Sequence, residues 1–262
     1  NVNIMRFFKN LEYKKLIINL ENEFQNLSKK EVFINDIYEL ILPHKKIIFK
    51  YFEEYLYFVY KYEKGQITEN QDFGKFLKNT LLQDRLDVIE FGTWNGLGST
   101  KIIFENSNSS DSLEINPFIN GIAKKNLMPI NPNNRLLIGR IVELEKTKIN
   151  LDDSFLSYEF NKKRGLIDMW LGHLIHLIFT CENELILDNL KKNYDLLLID
   201  GGGLTTFDEF LIILPRIKKF IFLDDIDGIK GKKIFEYLNN NKNFDLIFKS
   251  KTRYSCAFKI SH

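Results

Sequence analysis

Three aspartates follow two apolar runs in the C-terminal half of the chain. Asp200 comes directly after the run from Tyr194 to Ile199, and Asp224 and Asp225 come directly after the run from Phe220 to Leu223. Continuous apolar runs of this kind are typical of buried parallel strands, whose carboxyl ends meet at one edge of a sheet. We therefore expect the three carboxylates to lie together. Because these motifs contain no Lys or Arg, a hard divalent cation such as Mg²⁺ would neutralise their repulsion.

The same aspartates have alternative roles. Aspartates at strand ends often cap the next helix or form turns, and the segment from Asp225 to Gly228 has a turn composition. Asp225-Ile226-Asp227 is also a D-x-D sequence, which could hold the metal of a nucleotide sugar in a glycosyltransferase.

A glycine-rich segment follows a third apolar run, Leu86 to Phe91. Gly92, Gly96 and Gly98 stand between this run and Ser99, where a helix can begin. Since glycine has no Cβ, a ligand could lie against the backbone at the helix N-terminus. The alternative is an ordinary strand–helix turn that binds nothing.

A carboxylate ends the next short strand. Glu114 lies about 20 residues after Gly92, which is the separation expected of an acid that binds ribose hydroxyls. Asn116 and Pro117 then provide a cap and a first residue for a helix running to about Leu127. The loop and Glu114 together predict a nucleoside-binding half-fold, although the glycine spacing differs from the G-x-G-x-x-G of dinucleotide sites.

The elements that must position these residues predict an α/β fold. Strands and helices alternate, which implies a parallel sheet with helices on both faces. The last two strands are joined so closely that they must be antiparallel. The elements predicted after Glu114 are strands at Leu136 to Val142, Tyr194 to Ile199 and Phe220 to Leu223, helices at Thr206 to Ile217 and Ile229 to Leu238, and final strands at Phe244 to Phe248 and Tyr254 to Ile260.

We predict that residues 1–85 form a helical extension or cap. Residues 86–262 are predicted to form the sheet domain, with an insertion at about 143–180. The clearest N-terminal helix runs from Lys45 to Lys64, with one apolar face. We favour packing on the core for this helix over a lid, a membrane-surface helix or a homodimer contact. The insertion contains the apolar helical segment Leu166 to Phe179.

Two histidines of that segment, His173 and His176, would share a helix face because they are three residues apart. Zinc helices more often space two histidines four apart, so packed or surface histidines are the favoured interpretation. His173 remains a candidate general base.

The composition limits the possible functions. The chain has 262 residues, 44% of them hydrophobic, and a formal net charge of +2. It therefore has no broad basic field for nucleic acid, and no apolar run reaches the ~18 residues of a membrane span. The two cysteines, Cys181 and Cys256, form no metal spacing or disulfide framework, which favours the cytoplasm.

The motifs resemble those of class I S-adenosylmethionine (SAM) methyltransferases. Glu90-Phe91-Gly92, followed by Gly96, and Glu114-Ile115-Asn116-Pro117 are similar to the E-x-G-x-x-x-G and E-x-N-P segments of catechol and caffeoyl-CoA O-methyltransferases. The resemblance covers about residues 86–262, and the extra residue before Ser99 is one departure. It implies a SAM site formed by Glu90, Gly92, Thr93, Gly96, Gly98, Ser99, Glu114, Ile115, Asp200 and Gly201.

The metal-dependent members of that group, and the macrocin-type sugar O-methyltransferases, end their fourth and fifth strands in metal-binding acids. The resemblance assigns this role to Asp200, Asp224 and Asp225. Gly203 stands where catechol O-methyltransferase has a Lys base, so Asp200, Asp208 or His173 would have to replace it. The implied function is Mg²⁺-assisted methyl transfer to a hydroxyl of a small or sugar-like acceptor. A SAM-binding module without catalysis, a glycosyltransferase and an RNA methyltransferase are the alternatives.

Overall fold

The structure is a computed structural model, and it describes residues 15–16, 19–20, 32–50, 67–149, 166–201, 203–228 and 231–261. The chain divides into two compact units. One consists of residues 1–55 and 144–181, and the other of residues 56–143 and 182–262. The proposed division at residue 85, with an insertion at about 143–180, stays a prediction.

The larger unit contains a sheet of seven strands: β2 (Asp87–Phe91), β3 (Ser109–Leu113), β4 (Asn134–Leu137), β6 (Tyr194–Ile199), β7 (Ile217–Leu223), β8 (Phe244–Lys249) and β9 (Cys256–Ile260). Their order in the sheet is β4-β3-β2-β6-β7-β9-β8. The first five strands in this order pair in parallel, and β9 pairs antiparallel with both β7 and β8. This confirms the predicted Rossmann-like sheet with a C-terminal antiparallel hairpin.

Apolar side chains fill the space on both faces of this sheet. Along β2, Val88 belongs to one buried cluster and Ile89 to another, and Leu196 and Leu197 on β6 divide in the same way. Successive side chains of a strand point to opposite faces, so an unbroken apolar run is needed where both faces are covered. The helices of this unit are α2 (Asp72–Asp84), α3 (Ser99–Asn106), α4 (Pro117–Leu127), α6 (Thr206–Ile213) and α7 (Lys232–Asn239).

Two elements end earlier in the chain than predicted, each for a local reason. The strand expected at Leu136 to Val142 ends at Leu137, and Gly139 then adopts a φ of 150° against the side chain of Ile186. The helix expected to reach Ile217 ends at Ile213 and continues as a 3-10 turn, Leu214–Arg216. Pro215 lies in that turn and has no backbone N–H to continue the α-helix.

The smaller unit contains β1 (Val32–Phe33), α1 (Ile34–Ile41), β5 (Lys148–Ile149) and α5 (Leu166–Glu182). We predicted only helices in the N-terminal part of the chain, but this part also contains strand β1, which pairs antiparallel with β5. Of the helix predicted at Lys45 to Lys64, residues 45–50 are helical and 51–64 lie outside the described residues. Among the helices that the structure describes, none combines the length and hydropathy that a bilayer crossing requires.

Candidate active site

The candidate site lies at the carboxyl ends of the central strands of the large unit. Residues 92–98 follow β2 and form a loop that leads into α3, whereas Glu114 follows β3. Asp200 follows β6, and Asp224 and Asp225 follow β7. The parallel order of β3, β2, β6 and β7 therefore brings the glycine loop, Glu114 and the three aspartates to the same edge of the sheet, as predicted.

Two glycines allow the loops after β2 and β6 to meet. Gly92 has a φ of 89°, and a Cβ built on it would lie 2.4 Å from Cα of Gly201. The amide of Asp200 donates to the carbonyl of Phe91, and the amide of Gly92 donates to the carbonyl of Leu113. The backbone itself fills the space at this position, so both strand ends require a residue without a side chain.

Hydrogen bonds fix the rest of the glycine loop. Gly96 has a φ of 80°, and its amide donates to the carbonyl of Thr93. The buried side chain of Asn95 accepts a hydrogen bond from the amide of Leu97, and Asn126 donates to the carbonyl of Asn95. The loop is therefore held in one conformation before any ligand binds.

Glu90 lies beneath this loop and is fully buried. The hydroxyl of Ser99 donates a 2.6 Å hydrogen bond to its Oε1, whereas Oε2 has no hydrogen-bond partner within the described part of the chain. Burial raises the pKa of Glu90 to about 7, and the charge of Glu114 adds to this shift, while the hydrogen bond from Ser99 opposes it. Glu90 can therefore change protonation state near neutral pH, and Oε2 can accept a further hydrogen bond.

Glu114 connects the end of β3 to the glycine loop. Its Oε1 accepts from the amide of Asn116 at 3.0 Å, and its Oε2 accepts from the amide of Thr93 at 3.3 Å. The hydroxyl of Thr93 adds a contact to Oε2 at 3.4 Å, and the amide of Trp94 donates to the same carboxylate. A carboxylate has about four acceptor positions, so ribose hydroxyls would have to replace the long contacts from Thr93. Burial raises the pKa of Glu114, although the amides of Asn116 and Thr93 oppose this shift. Ile115, the next predicted cofactor contact, is buried.

The three aspartates form the cluster that the sequence predicted. Asp200, Asp224 and Asp225 each offer a carboxylate oxygen, and these oxygens lie within 4.8 Å of one another. Asp225 has a φ of 56°, and its carbonyl accepts from the amide of Gly228, which is the turn expected there. Without other charges nearby, three such oxygen donors would suit a hard divalent cation.

An arginine that the sequence analysis did not include is bound to this cluster. Nε of Arg253 donates to Oδ1 of Asp224 at 3.3 Å, Nη2 donates to Oδ2, and the hydroxyl of Ser255 donates to Oδ1. The Asp224 side chain is 1% exposed. Three of its roughly four acceptor positions are thus occupied, so a divalent ion at Asp224 would have to compete with the positive charge of Arg253. The residues present therefore do not fit a divalent metal in this arrangement.

The antiparallel hairpin explains how Arg253 reaches Asp224. Leu223, the last residue of β7, pairs with Cys256 at the start of β9, so residues just before β9 lie beside those just after β7. This consequence of the predicted hairpin was the signal that could have identified Arg253 and Ser255. Prediction from motifs missed them because neither belongs to the glycine-rich or acidic segments.

Asp72, which belongs to none of the motifs described above, binds the connection between β8 and β9, residues 250–255, which contains Arg253. The carboxylate of Asp72, at the start of α2, accepts hydrogen bonds from the hydroxyls of Ser250 and Thr252 and from the amide of Lys251. Desolvation works in the opposite direction, but the hydrogen bonds lower the pKa of Asp72 to about 2. Asp72 is therefore ionised at physiological pH and holds the connection in place.

The candidate bases lie in different parts of the chain. Asp208 lies in the first turn of α6, where burial raises its pKa and the charge of Lys233 opposes the shift. Gly203 is buried in the turn between Asp200 and α6. His173 is buried in α5 of the smaller unit. In the same helix, Nδ1 of His176 lies 3.3 Å from the hydroxyl of Thr180.

Solved structures of methyltransferases have the same fold. An O-methyltransferase from Bacillus cereus in complex with S-adenosylhomocysteine (SAH) is 13% identical, with a TM-score of 0.51 over 80% of this chain and 90% of that one. The cofactor-bound protein Rv0187 from MTB is 15% identical, with a TM-score of 0.50 over 78% and 86% of the two chains.

A third structure, from Staphylococcus aureus and assigned as a caffeoyl-CoA O-methyltransferase, is 15% identical, with a TM-score of 0.50 over 87% of this chain and 99% of that one. No family model and no curated protein sequence matches the chain. The sheet order, the glycine loop and these likenesses together show that the chain has the fold of the class I SAM-dependent O-methyltransferases.

Proposed function

We propose that the chain is an enzyme that transfers the methyl group of SAM to a hydroxyl of a small or sugar-like acceptor. The observation that carries this proposal is the arrangement of Glu114 beside a loop whose glycines adopt positive φ, at the carboxyl edge of a methyltransferase sheet. The loop offers close approach to the backbone, and Glu114 lies where an acid that binds ribose hydroxyls is expected.

The chemistry is one displacement at carbon. A lone pair of the acceptor oxygen forms the new C–O bond while the S–CH₃ bond breaks, and the electrons of that bond return to sulfur to give neutral SAH. The hydroxyl proton passes to a base or to water. Because this step needs an in-line approach, the protein contributes mainly by holding the two reactants in position.

Asp200 and Asp208 are the candidate bases in the large unit. Asp200 follows β6 at the edge where the cofactor would bind, and burial raises the pKa of Asp208, which makes its carboxylate more basic. His173 stays a prediction from the sequence, since it belongs to the smaller unit.

A non-catalytic SAM-binding module is the second candidate, because Gly203 stands where catechol O-methyltransferase has a Lys base. The two functions differ in a simple measurement. Both predict SAM binding, but only the enzyme forms SAH when it is incubated with SAM and a panel of hydroxylated acceptors.

Calorimetry tests the cofactor directly. We expect micromolar binding of SAM and SAH and weak or no binding of NAD and UDP-sugars. Tight binding of a UDP-sugar without SAM binding would contradict the proposal and would support the glycosyltransferase alternative based on Asp225 and Asp227.

The remaining expectations concern metal, partners and location. Mg²⁺ assistance stays a prediction, which the three carboxylates support and the Arg253 contact opposes. Loss of turnover with a chelator, and its recovery with Mg²⁺, would establish it. A saccharide or other small acceptor, a possible homodimer, the absence of a nucleic-acid partner and a cytoplasmic location are likewise proposals.

A further inference from the structure

The ion pair between Arg253 and Asp224 is largely removed from solvent. The Arg253 side chain is 17% exposed and that of Asp224 is 1% exposed. Two nitrogens of the guanidinium face the two carboxylate oxygens, and Ser255 adds a third donor. Paired, bidentate contacts of this kind are stronger and more directional than a single Lys–carboxylate contact.

The guanidinium also acts on the other two carboxylates. Asp200 and Asp225 each have a carboxylate oxygen within 4.8 Å of one from Asp224, which the guanidinium contacts directly. An arginine is always protonated in proteins, so this positive charge is permanent. It reduces the mutual repulsion that would otherwise favour a bound metal.

We propose that Arg253 occupies, as a permanent cation, the place that a divalent metal would take at the Asp200–Asp224–Asp225 cluster. The inference rests on the proposed function for its catalytic consequence, which is that methyl transfer by this chain requires no metal. Arg253 is then a positioning residue that holds Asp224 and, through it, the loop after β7.

The hydrogen bonds that anchor the connection between β8 and β9 support this assignment. Asp72 binds three successive residues of the connection, Ser250 to Thr252, so Arg253 is presented from a backbone that is already anchored. A metal that displaced the guanidinium from Asp224 would have to overcome both the ion pair and this anchoring. Breaking a buried ion pair leaves an uncompensated charge, which is costly.

Titration of the protein with Mn²⁺, followed by calorimetry and by electron paramagnetic resonance, tests the proposal without SAM. We expect weak Mn²⁺ binding by the wild type and at least tenfold tighter binding by Arg253→Met, in which three carboxylates lose their cation. The double variant Asp200→Asn/Arg253→Met should lose this gain. Lys251→Met is the matched control, because it removes an exposed positive charge from the same connection and should leave Mn²⁺ binding unchanged.

Two results would overturn the proposal. One is Mn²⁺ binding by the wild type that is as tight as binding by Arg253→Met. The other is wild-type methyl transfer that stops with a chelator and returns with Mg²⁺, a measurement that does not depend on the folding of any variant. A failure of the proposed function would appear differently, as absence of SAM binding in a protein whose Mn²⁺ titrations still follow the expected order.

Discussion

Ser99 donates a 2.6 Å hydrogen bond to Oε1 of Glu90, and this contact links the first residue of α3 to the strand before the glycine loop. Both residues are buried, with Glu90 at 0% and Ser99 at 5% exposure. The hydrogen bond therefore joins the two ends of the segment that contains the glycine loop. The carboxylate that shapes the candidate cofactor site is also one whose protonation changes near neutral pH.

Replacement of Glu90 by Gln should alter the pH dependence of stability. Glu90 has a folded-state pKa of about 7 against 4.5 for an unperturbed Glu, so its contribution to stability is fully present below pH 4.5 and is lost as the pH rises through 7. Compared with Glu90→Gln, the wild type should lose on the order of 3 kcal/mol of unfolding free energy between pH 4.5 and 8. Urea unfolding at several pH values measures this difference.

Glu209→Gln provides the matched control. Glu209 is also buried, and burial raises its pKa to about 7, but its hydrogen-bond partner is Thr205, the residue before α6, rather than a residue at the glycine loop. Both variants should change stability with pH in the same direction. Only Glu90→Gln should change the affinity for SAM, and equal affinities in the two variants would contradict a role for Glu90 at the cofactor.

Gly92→Ala should prevent the loops after β2 and β6 from meeting. The new Cβ would lie 2.4 Å from Cα of Gly201, at a φ of 89° that alanine rarely adopts. We expect a loss of more than about 1 kcal/mol of stability together with at least tenfold weaker SAM binding. Thermal unfolding and calorimetry measure the two effects.

Gly121→Ala is the corresponding control in helix α4. A Cβ at Gly121 would meet no atom within 4 Å. Because alanine is the better helix former, this variant should be up to about 1 kcal/mol more stable and should bind SAM normally. An unchanged Gly92→Ala protein would show that the two loops can separate without consequence.

Glu114→Ala should weaken SAM binding by more than tenfold, or about 1.4 kcal/mol, because the ribose loses its acceptor. The variant also removes the acceptor of the Thr93 and Asn116 amides, so a second variant, Glu114→Gln, keeps one oxygen for them. Glu105→Ala on the exposed face of α3 is the control and should bind as the wild type does. Unchanged affinity in both Glu114 variants would mean that the ribose binds elsewhere.

Arg135→Met should destabilise the pairing of β3 with β4, where Arg135 lies opposite Asp111. Asp111 on β3 is completely buried, and its two oxygens accept from Nε and Nη2 of Arg135 at 2.6 and 2.7 Å. Removal of Arg135 takes away the cation that faces this buried carboxylate, whereas the hydrogen bond from the Tyr194 hydroxyl remains. Because the Arg135 side chain is 42% exposed, we expect a loss of roughly 2 kcal/mol, below that of a fully buried pair. Chemical denaturation measures the loss, and Lys101→Met, at an exposed ion pair, should change stability by less than about 0.5 kcal/mol.

Restoration is the stricter test of that pair. The double variant Asp111→Asn/Arg135→Met removes both charges and should recover part of the stability, since no uncompensated ion remains. If the double variant is as unstable as Arg135→Met alone, the loss comes from packing of the Arg135 side chain rather than from its charge.

Continuous apolar runs made the central sheet predictable. The segments at Leu196 to Ile199 and Phe220 to Leu223 are apolar at successive positions, which is expected of a strand with both faces covered. Strand β3 was harder, because Ser109 to Ser112 are polar and buried through side-chain contacts that have no sequence period. The N-terminal strand β1 was missed since two residues carry no periodic signal.

The candidate site likewise contains parts that could be predicted from the sequence and parts that could not. Its local parts, the glycine loop with Glu114 and the aspartates that end strands, could be predicted because each is a short segment whose place follows from the strand before it. Arg253 and Asp72 could not, since they reach the site only through strand pairing and loop contacts between distant segments. Asp225 and Asp227 of the D-x-D alternative both lie in the turn that the hydrogen bond from the Gly228 amide to the Asp225 carbonyl closes.

The contact between Gly92 and Gly201 has an evolutionary consequence. Neither position can gain a side chain by a single substitution while the opposing backbone stays where it is, because the obstacle is main chain and cannot be removed by changing the other residue. Sequence changes in the two loops are therefore expected at positions other than these two glycines. Distant relatives too divergent for ordinary alignment should still be recognisable by these two fixed points, one at the end of each neighbouring strand.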